Sequence, residues 1–150
     1  MSRRRGRIVA FQALYSWDVS KSSLEDLLTF TWLEKDTVNT KEPKEPTASQ
    51  KNDMDFASLI IAGTIDHIDE IDASIERHLA ANWSKDRLNK VALAILRTSV
   101  YQIKYQSEAQ PGIIIDEAVN IAKEYGADDS YKFINAVLDK IVKDEASKNS

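Results

Sequence analysis

Between Leu88 and Tyr105, apolar residues such as Val91, Leu93, Ile95, Leu96, Val100 and Ile103 fall on nearly every side of a helix. A helix that is apolar all round has no face to offer water. The rest of the chain must therefore wrap it, and the expected fold is a helical bundle with this segment at its centre. With 150 residues, 43% of them apolar, the chain has enough material for one domain over 1–150 with a core of its own. Four glycines and three prolines leave few interruptions, so long helices are expected.

The same periodicity sets out the surrounding helices. From Arg4 to Asp18 the residues Ile8, Phe11, Leu14 and Tyr15 share one face, and a second helix is expected from Ser23 to Glu34, capped by Ser22 or Ser23, with Leu24, Leu27, Leu28 and Trp32 inward. Residues 36–52 carry two prolines and little apolar content, and read as a loop inside the domain. Asp53–Leu79 reads as one long helix in which Gly63 marks a bend or a close approach. Ser84 or Lys85, with Asp86 in the first turn, opens the central helix. Pro111 opens another that runs to Tyr125 and ends at Gly126 in the C′ position. Asp128 or Asp129 caps the last, whose Phe133, Ile134, Val137, Leu138, Ile141 and Val142 face inward. The result is an all-α bundle of about six or seven helices.

Catalysis finds no residues to carry it. There is no cysteine, which removes disulfides, thiolate metal sites and thiol nucleophiles together. His67 and His78 stand eleven residues apart, about 16 Å along a helix, too far to share a metal ion. The acids Asp66, Asp69, Glu70, Asp72 and Glu76 spread around a helix and read as a solvated face. No phosphate loop, dinucleotide fingerprint or nucleophile elbow occurs. No enzyme activity, cofactor or metal is expected. With no apolar run near the roughly 20 residues of a membrane span, the protein is expected to be soluble and cytoplasmic.

The net charge of −4 is unevenly distributed. Residues 1–17 hold Arg3, Arg4, Arg5 and Arg7 and no acid, whereas Asp53–Glu76 holds seven acids and neither Lys nor Arg. Such segregation lets an acidic protein present a basic patch. On a helix, Arg5 and Gln12 lie two turns apart on one flank of the apolar stripe, with Tyr15 at its border. Arginine pairs with phosphate and stacks on bases, glutamine reads base edges, and tyrosine offers a ring with a polar tip. That set suits single-stranded RNA, although a basic tail that only solubilises has the same composition.

Four blocks carry a resemblance: RRRGRIVAFQALYSWD (Arg3–Asp18), WSKDRLNKVALAILRTSVYQI (Trp83–Ile103), IDEAVNIAKEYGADDS (Ile115–Ser130) and YKFINAVLDKI (Tyr131–Ile141). In order and spacing they resemble the NusB family of transcription antitermination proteins over nearly the whole chain. The resemblance implies seven helices in two packed halves and a non-catalytic RNA-binding factor. It implies pairing with the ribosomal protein also called NusE, binding of the boxA element of nascent ribosomal RNA leaders, and action with NusA and NusG on RNA polymerase. It places RNA contacts on Arg3, Arg4, Arg5, Arg7, Gln12 and Tyr15, and a C-terminal contribution on Asp129, Lys132 and Phe133. For Phe133 core packing and base contact are both open, and Asp129 also reads as a helix cap. Some members form homodimers that hide the arginine surface. Two departures stand out: the linker 36–52 is long and proline-containing, and Ala92 stands where some members have an acid on the helix facing the partner. A NusB-like domain also precedes the catalytic domain of some RNA cytosine methyltransferases, but no cofactor-binding βαβ region appears before Ser150. A purely structural helical adaptor is the remaining alternative.

Overall fold

The computed structural model describes residues 2–30, 48–79, 88–106, 109–127 and 129–148. Seven helices run through them: α1 (Ser2–Val19), α2 (Leu24–Thr29), α3 (Ala48–Asp66), α4 (Ile68–Arg77), α5 (Lys90–Tyr105), α6 (Pro111–Tyr125) and α7 (Ser130–Lys148). There is no strand among the described residues. The all-α expectation holds.

Helix α5 is the hub. Every residue from Ala92 to Val100 is buried, and α1, α3, α4, α6 and α7 all pack on it. Helices α1 and α3 lie against each other on one side, and α6 and α7 pair on another, which gives the two halves that were expected. Ile60, Ile61, Leu93, Leu96, Ile134 and Leu138 are among the side chains removed entirely from water between them.

Two polar side chains inside α5 bond back to the helix itself. The Thr98 hydroxyl donates back to the carbonyls of Ala94 and Ile95, each at 3.2 Å, and Gln102 Nε2 donates to the Thr98 carbonyl at 3.1 Å. Arg97, only 5% exposed, makes a two-pronged pair with Asp72 of α4 at 2.9 Å through both Nε and Nη2. Its Nη1 lies 3.6 Å from Asp18 at the end of α1, which also meets Lys90 at 3.5 Å. Asp72 thus leaves the solvated face assigned to the acidic run and becomes the counter-ion of a buried arginine. Asp66, Asp69, Glu70 and Glu76 stay half or fully exposed at the surface.

Several boundaries differ from the sequence reading, each for a local reason. Ser23 caps α2 by accepting from the Asp26 N–H at 3.1 Å, as expected, but α2 stops at Thr29. Phe30 adopts left-handed backbone with φ 57° and buries its ring. Trp32, Glu34 and the stretch 36–47 lie outside the described residues, whereas 48–52, read as loop, are helical. The long helix of Asp53–Leu79 is two helices, broken at His67 rather than at Gly63. Backbone bonding nearly bridges the break, His67 N–H reaching the Gly63 carbonyl at 3.0 Å and Ile71 N–H the His67 carbonyl at 2.9 Å. The His67 ring stacks on Tyr105 of α5 at 4.1 Å, a tertiary contact that helical periodicity does not encode. His78 is tied between the Ser74 carbonyl at 2.6 Å and Asp144 of α7 at 3.2 Å, so both histidines are structural.

Gly63 is the close approach: a Cβ there would stand 2.1 Å from the Tyr101 ring. Asn89 caps α5 with its side chain on the N–H groups of Val91 and Ala92, at 2.8 and 3.2 Å. That start was placed at Ser84 or Lys85, which with Asp86 lie outside the described residues. Gly126 closes α6 with φ −89°, not left-handed. Its need for glycine is space, since a Cβ would meet Ser130 Oγ at 2.5 Å and the Ala122 carbonyl at 2.7 Å.

Gly63→Ala should destabilise the protein by about 1–3 kcal/mol by overpacking, despite the better helix propensity of alanine. Urea unfolding of Gly63→Ala alone and with Tyr101→Ala checks this, and the second change should reduce the additional penalty from Gly63→Ala. Asp72→Ala, which strands the Arg97 charge, should cost about 3–5 kcal/mol in the same assay. An Asp72→Ala variant as stable as the parent would deny the pair its role.

Candidate RNA interface

The arginines of α1 divide by helical phase. Arg3, Arg4 and Arg5 are exposed, whereas Arg7 is buried at 9% exposure. Arg7 lies in the same stripe as Ala10, Phe11 and Leu14, all buried, so its spacing already points inward. Its Nε donates to Gln102 Oε1 of α5 at 2.7 Å. Burial pushes the guanidinium below its ordinary value, with Glu117 opposing the shift and Arg3 adding to it. Arginine stays charged under such a shift. The surface position expected for Arg7 is therefore corrected: it is a strut between α1 and α5.

Gly6 brings this end of α1 onto α3. A Cβ at Gly6 would stand 2.7 Å from the Phe56 ring and 3.1 Å from the Asp53 carbonyl. The close approach places the Arg3 guanidinium 4.2 Å from the centre of the Phe56 ring, with Arg7 at 5.4 Å. On the other flank, Arg4 pairs with Glu124 of α6 at 3.2 Å, both groups about half exposed. Phe11 packs against Tyr125 at 5.4 Å between ring centres. The arginines Arg3, Arg4 and Arg5 thus edge a cleft of about 740 Å³ between α1 and α6, which Ile113, Glu117 and Tyr125 close from the opposite side.

Further along α1, Gln12 is half-buried and Tyr15 is 37% exposed. The C-terminal set follows the end of α6. Asp129 has left-handed backbone, φ 66°, rather than the extended form of an ordinary N-cap. Its carboxylate meets Lys132 at 3.6 Å, and both side chains are exposed. Lys123 and Lys132 sit over the Tyr131 ring at 5.0 and 5.9 Å. Phe133 is half-buried against the core, which leaves part of the ring outside. Asp128 lies outside the described residues. Helix α1 lies mainly on α3 and α5, and α7 on α6 and α5. The two ends are linked through the Arg4–Glu124 and Phe11–Tyr125 contacts at the end of α6.

Sequence reasoning missed Ile113, Glu117 and Tyr125 as cleft residues. The signal for Ile113 was present, because three consecutive isoleucines, Ile113–Ile115, exceed what one buried face of a helix can absorb. Among the described residues no group of three or more acids and histidines is placed to hold a metal ion, and no helix is long and apolar enough to cross a membrane.

Comparison with known proteins bears on the family and the fold. The NusB family model matches residues 4–143. The chain is 51% identical over 141 residues to the transcription antitermination protein NusB of Treponema denticola, covering 94% of this chain and 96% of that protein. It is also similar to a chain in the crystal structure of antitermination factors NusB and NusE in complex with double-stranded RNA. There the TM-score is 0.77 at 29% identity, covering 95% of this chain and 97% of the other. The solution structure of NusB from Aquifex aeolicus gives a TM-score of 0.76 at 30% identity, over 100% of this chain and 94% of the other. The chain belongs to the NusB family, a family of non-enzymatic transcription antitermination factors.

Proposed function

We propose that this chain, acting as one domain, binds the boxA element of nascent ribosomal RNA leaders together with the ribosomal protein NusE. In this reading it works in the cytoplasm, and with NusA and NusG it helps RNA polymerase pass terminators. The observation that carries the reading is the turn of three exposed arginines, Arg3, Arg4 and Arg5, at the edge of a cleft. The similar NusB–NusE complex with RNA supports the choice of partners. The RNA in that complex is double-stranded. A single strand is favoured here because Tyr15 and Tyr125, 37% and 41% exposed, offer rings that stack only on bases freed from a duplex. The contact set is Arg3, Arg4, Arg5, Gln12 and Tyr15 on α1, with Asp129, Lys132 and Phe133 beyond α6. Arg7, which also lines the cleft, holds the turn in place through Gln102. A homodimer that covered α1 would compete with RNA.

The chemistry is binding alone. Phosphate contacts give salt-sensitive affinity, and stacking with base-edge bonds gives sequence preference. Gel shift of a boxA RNA with and without NusE tests the reading, and no binding in either case would sink it.

Two sets of variants separate the arginine roles. Arg4→Ala with Arg5→Ala should lower RNA affinity at least tenfold and flatten the salt dependence by about 1.4 in slope, 0.7 per phosphate contact on a single strand. Unfolding should be little changed, within about 0.5 kcal/mol per substitution. Arg7→Ala should instead cost about 1–3 kcal/mol of stability, since it strands the Gln102 acceptor in the interior. The reverse pattern would reverse the assignment.

Lys132→Ala should reduce the slope by about 0.7 without loss of stability. For the half-buried Phe133, Phe133→Ala should show loss in both unfolding and RNA titration. Unchanged binding in both variants would confine the RNA site to α1 and its cleft.

A further inference from the structure

The wall of the cleft facing the arginines is the least expected surface on the molecule. Ile113 is 51% exposed and Tyr125 is 41% exposed. Both line one cleft with Arg3, Arg4 and Arg5. Ile113, Glu117 and Glu124 repeat at helical spacing, so they share a face of α6, and Tyr125 reaches the same cleft from the end of the helix. Twelve residues separate Ile113 from Tyr125, which is about 18 Å along the helix axis. The cleft is therefore a trough, cationic along α1 and apolar at both ends of α6.

Charge decides which part of a ligand enters. Glu117 lies in the trough, and one of its carboxylate oxygens is buried without a hydrogen-bond partner. Glu117 is opposed there by the Arg7 guanidinium, which lines the same trough, so the interior carries little net charge and a phosphate is favoured at the edge formed by Arg3, Arg4 and Arg5. An apolar ring system would be favoured against Tyr125, whose own ring is braced from behind by Phe11 at 5.4 Å. Anionic edge outward and flat ring inward is the polarity of a nucleotide. The other large groove, beside Leu24, Leu28 and Leu59, is edged by Asp55 and Asp66 and offers phosphate nothing.

We propose that the trough between α1 and α6 takes two unstacked nucleobases of the bound single-stranded RNA, one stacked on Tyr125 and one against Ile113. Their phosphates lie along Arg3, Arg4 and Arg5. The inference rests on the RNA reading above and adds α6 to the site. It makes Tyr125 and Ile113 base-contacting residues, and the spacing between them fixes which nucleotides of the strand turn inward.

The test uses the full chain, with and without NusE, and a boxA RNA carrying 2-aminopurine at one position at a time. Tyr125→Leu and Ile113→Ser should each weaken binding roughly tenfold, the range of a lost base contact. Standing about 18 Å apart, the two losses should add in the double variant. One 2-aminopurine position should be quenched by the parent protein and recover in Tyr125→Leu. Ile113→Ser changes a half-exposed side chain, so it serves as the folded control if Tyr125→Leu is unstable. If Ile113→Ser and a folded Tyr125→Leu bind as the parent does while the Arg4, Arg5 variant fails, the trough is not a base site and the RNA reading stands. If the parent binds no RNA, both readings fall.

Discussion

Arg97 puts a full positive charge in the middle of a helix surrounded on all sides. A guanidinium at 5% exposure has lost most of its water, a penalty of several kcal/mol unless anions and ring faces replace it. Three side chains on two helices meet that demand. Asp72 arrives from α4, Asp18 from the end of α1, and Trp17 lays its ring 5.7 Å away. The apolar packing around α5 tolerates many arrangements of its neighbours. The requirement that two carboxylates converge on one fork tolerates few, because both must come close from different helices. The path of α1 across α5 is therefore fixed near its C-terminal end by Asp18, eleven residues beyond the buried Arg7.

That second anchor explains how one basic stretch can serve both folding and the proposed binding. Arg7 and Gln102 hold the N-terminal half of α1 to α5 at 2.7 Å, and Gly6 lets the same turn settle on Phe56. Held at both places, the first turn extends beyond the core as a short rigid arm. Arg3, Arg4 and Arg5 project from it at positions the interior determines. Disordered arginines would lose conformational freedom on meeting RNA. These lose less, since the backbone beneath them is already ordered.

Much of this was legible in the sequence, and the failures are informative. The apolar perimeter of Leu88–Tyr105 gave the central helix and the bundle, because burial on all sides leaves no other solution. Ser23 and Pro111 marked helix starts through chemistry local to a single turn. What escaped was set by partners distant in sequence. The break at His67 depends on a ring of α5 thirty-eight residues later. Asp72 looked like one more surface acid until Arg97 arrived 25 residues on. Arg7 was misplaced for a different reason: its residue type outweighed its phase, although Ala10, Phe11 and Leu14 shared its stripe. The cleft itself needed α6 beside α1, which no periodicity within either helix contains.

Helices α1 and α6 both rest on α5, so the trough they bound has α5 as its gauge. Its width is set by α5 side chains that never reach solvent. A close-packed interior does not give by a methylene without moving what lies against it. Enlarging a residue on α5 that faces both helices would part the arginine edge from Tyr125, and trimming one would draw them together. In the proposed RNA reading, selectivity for the strand is partly encoded in the core, where a substitution can alter which RNA is held while leaving every contacting residue in place.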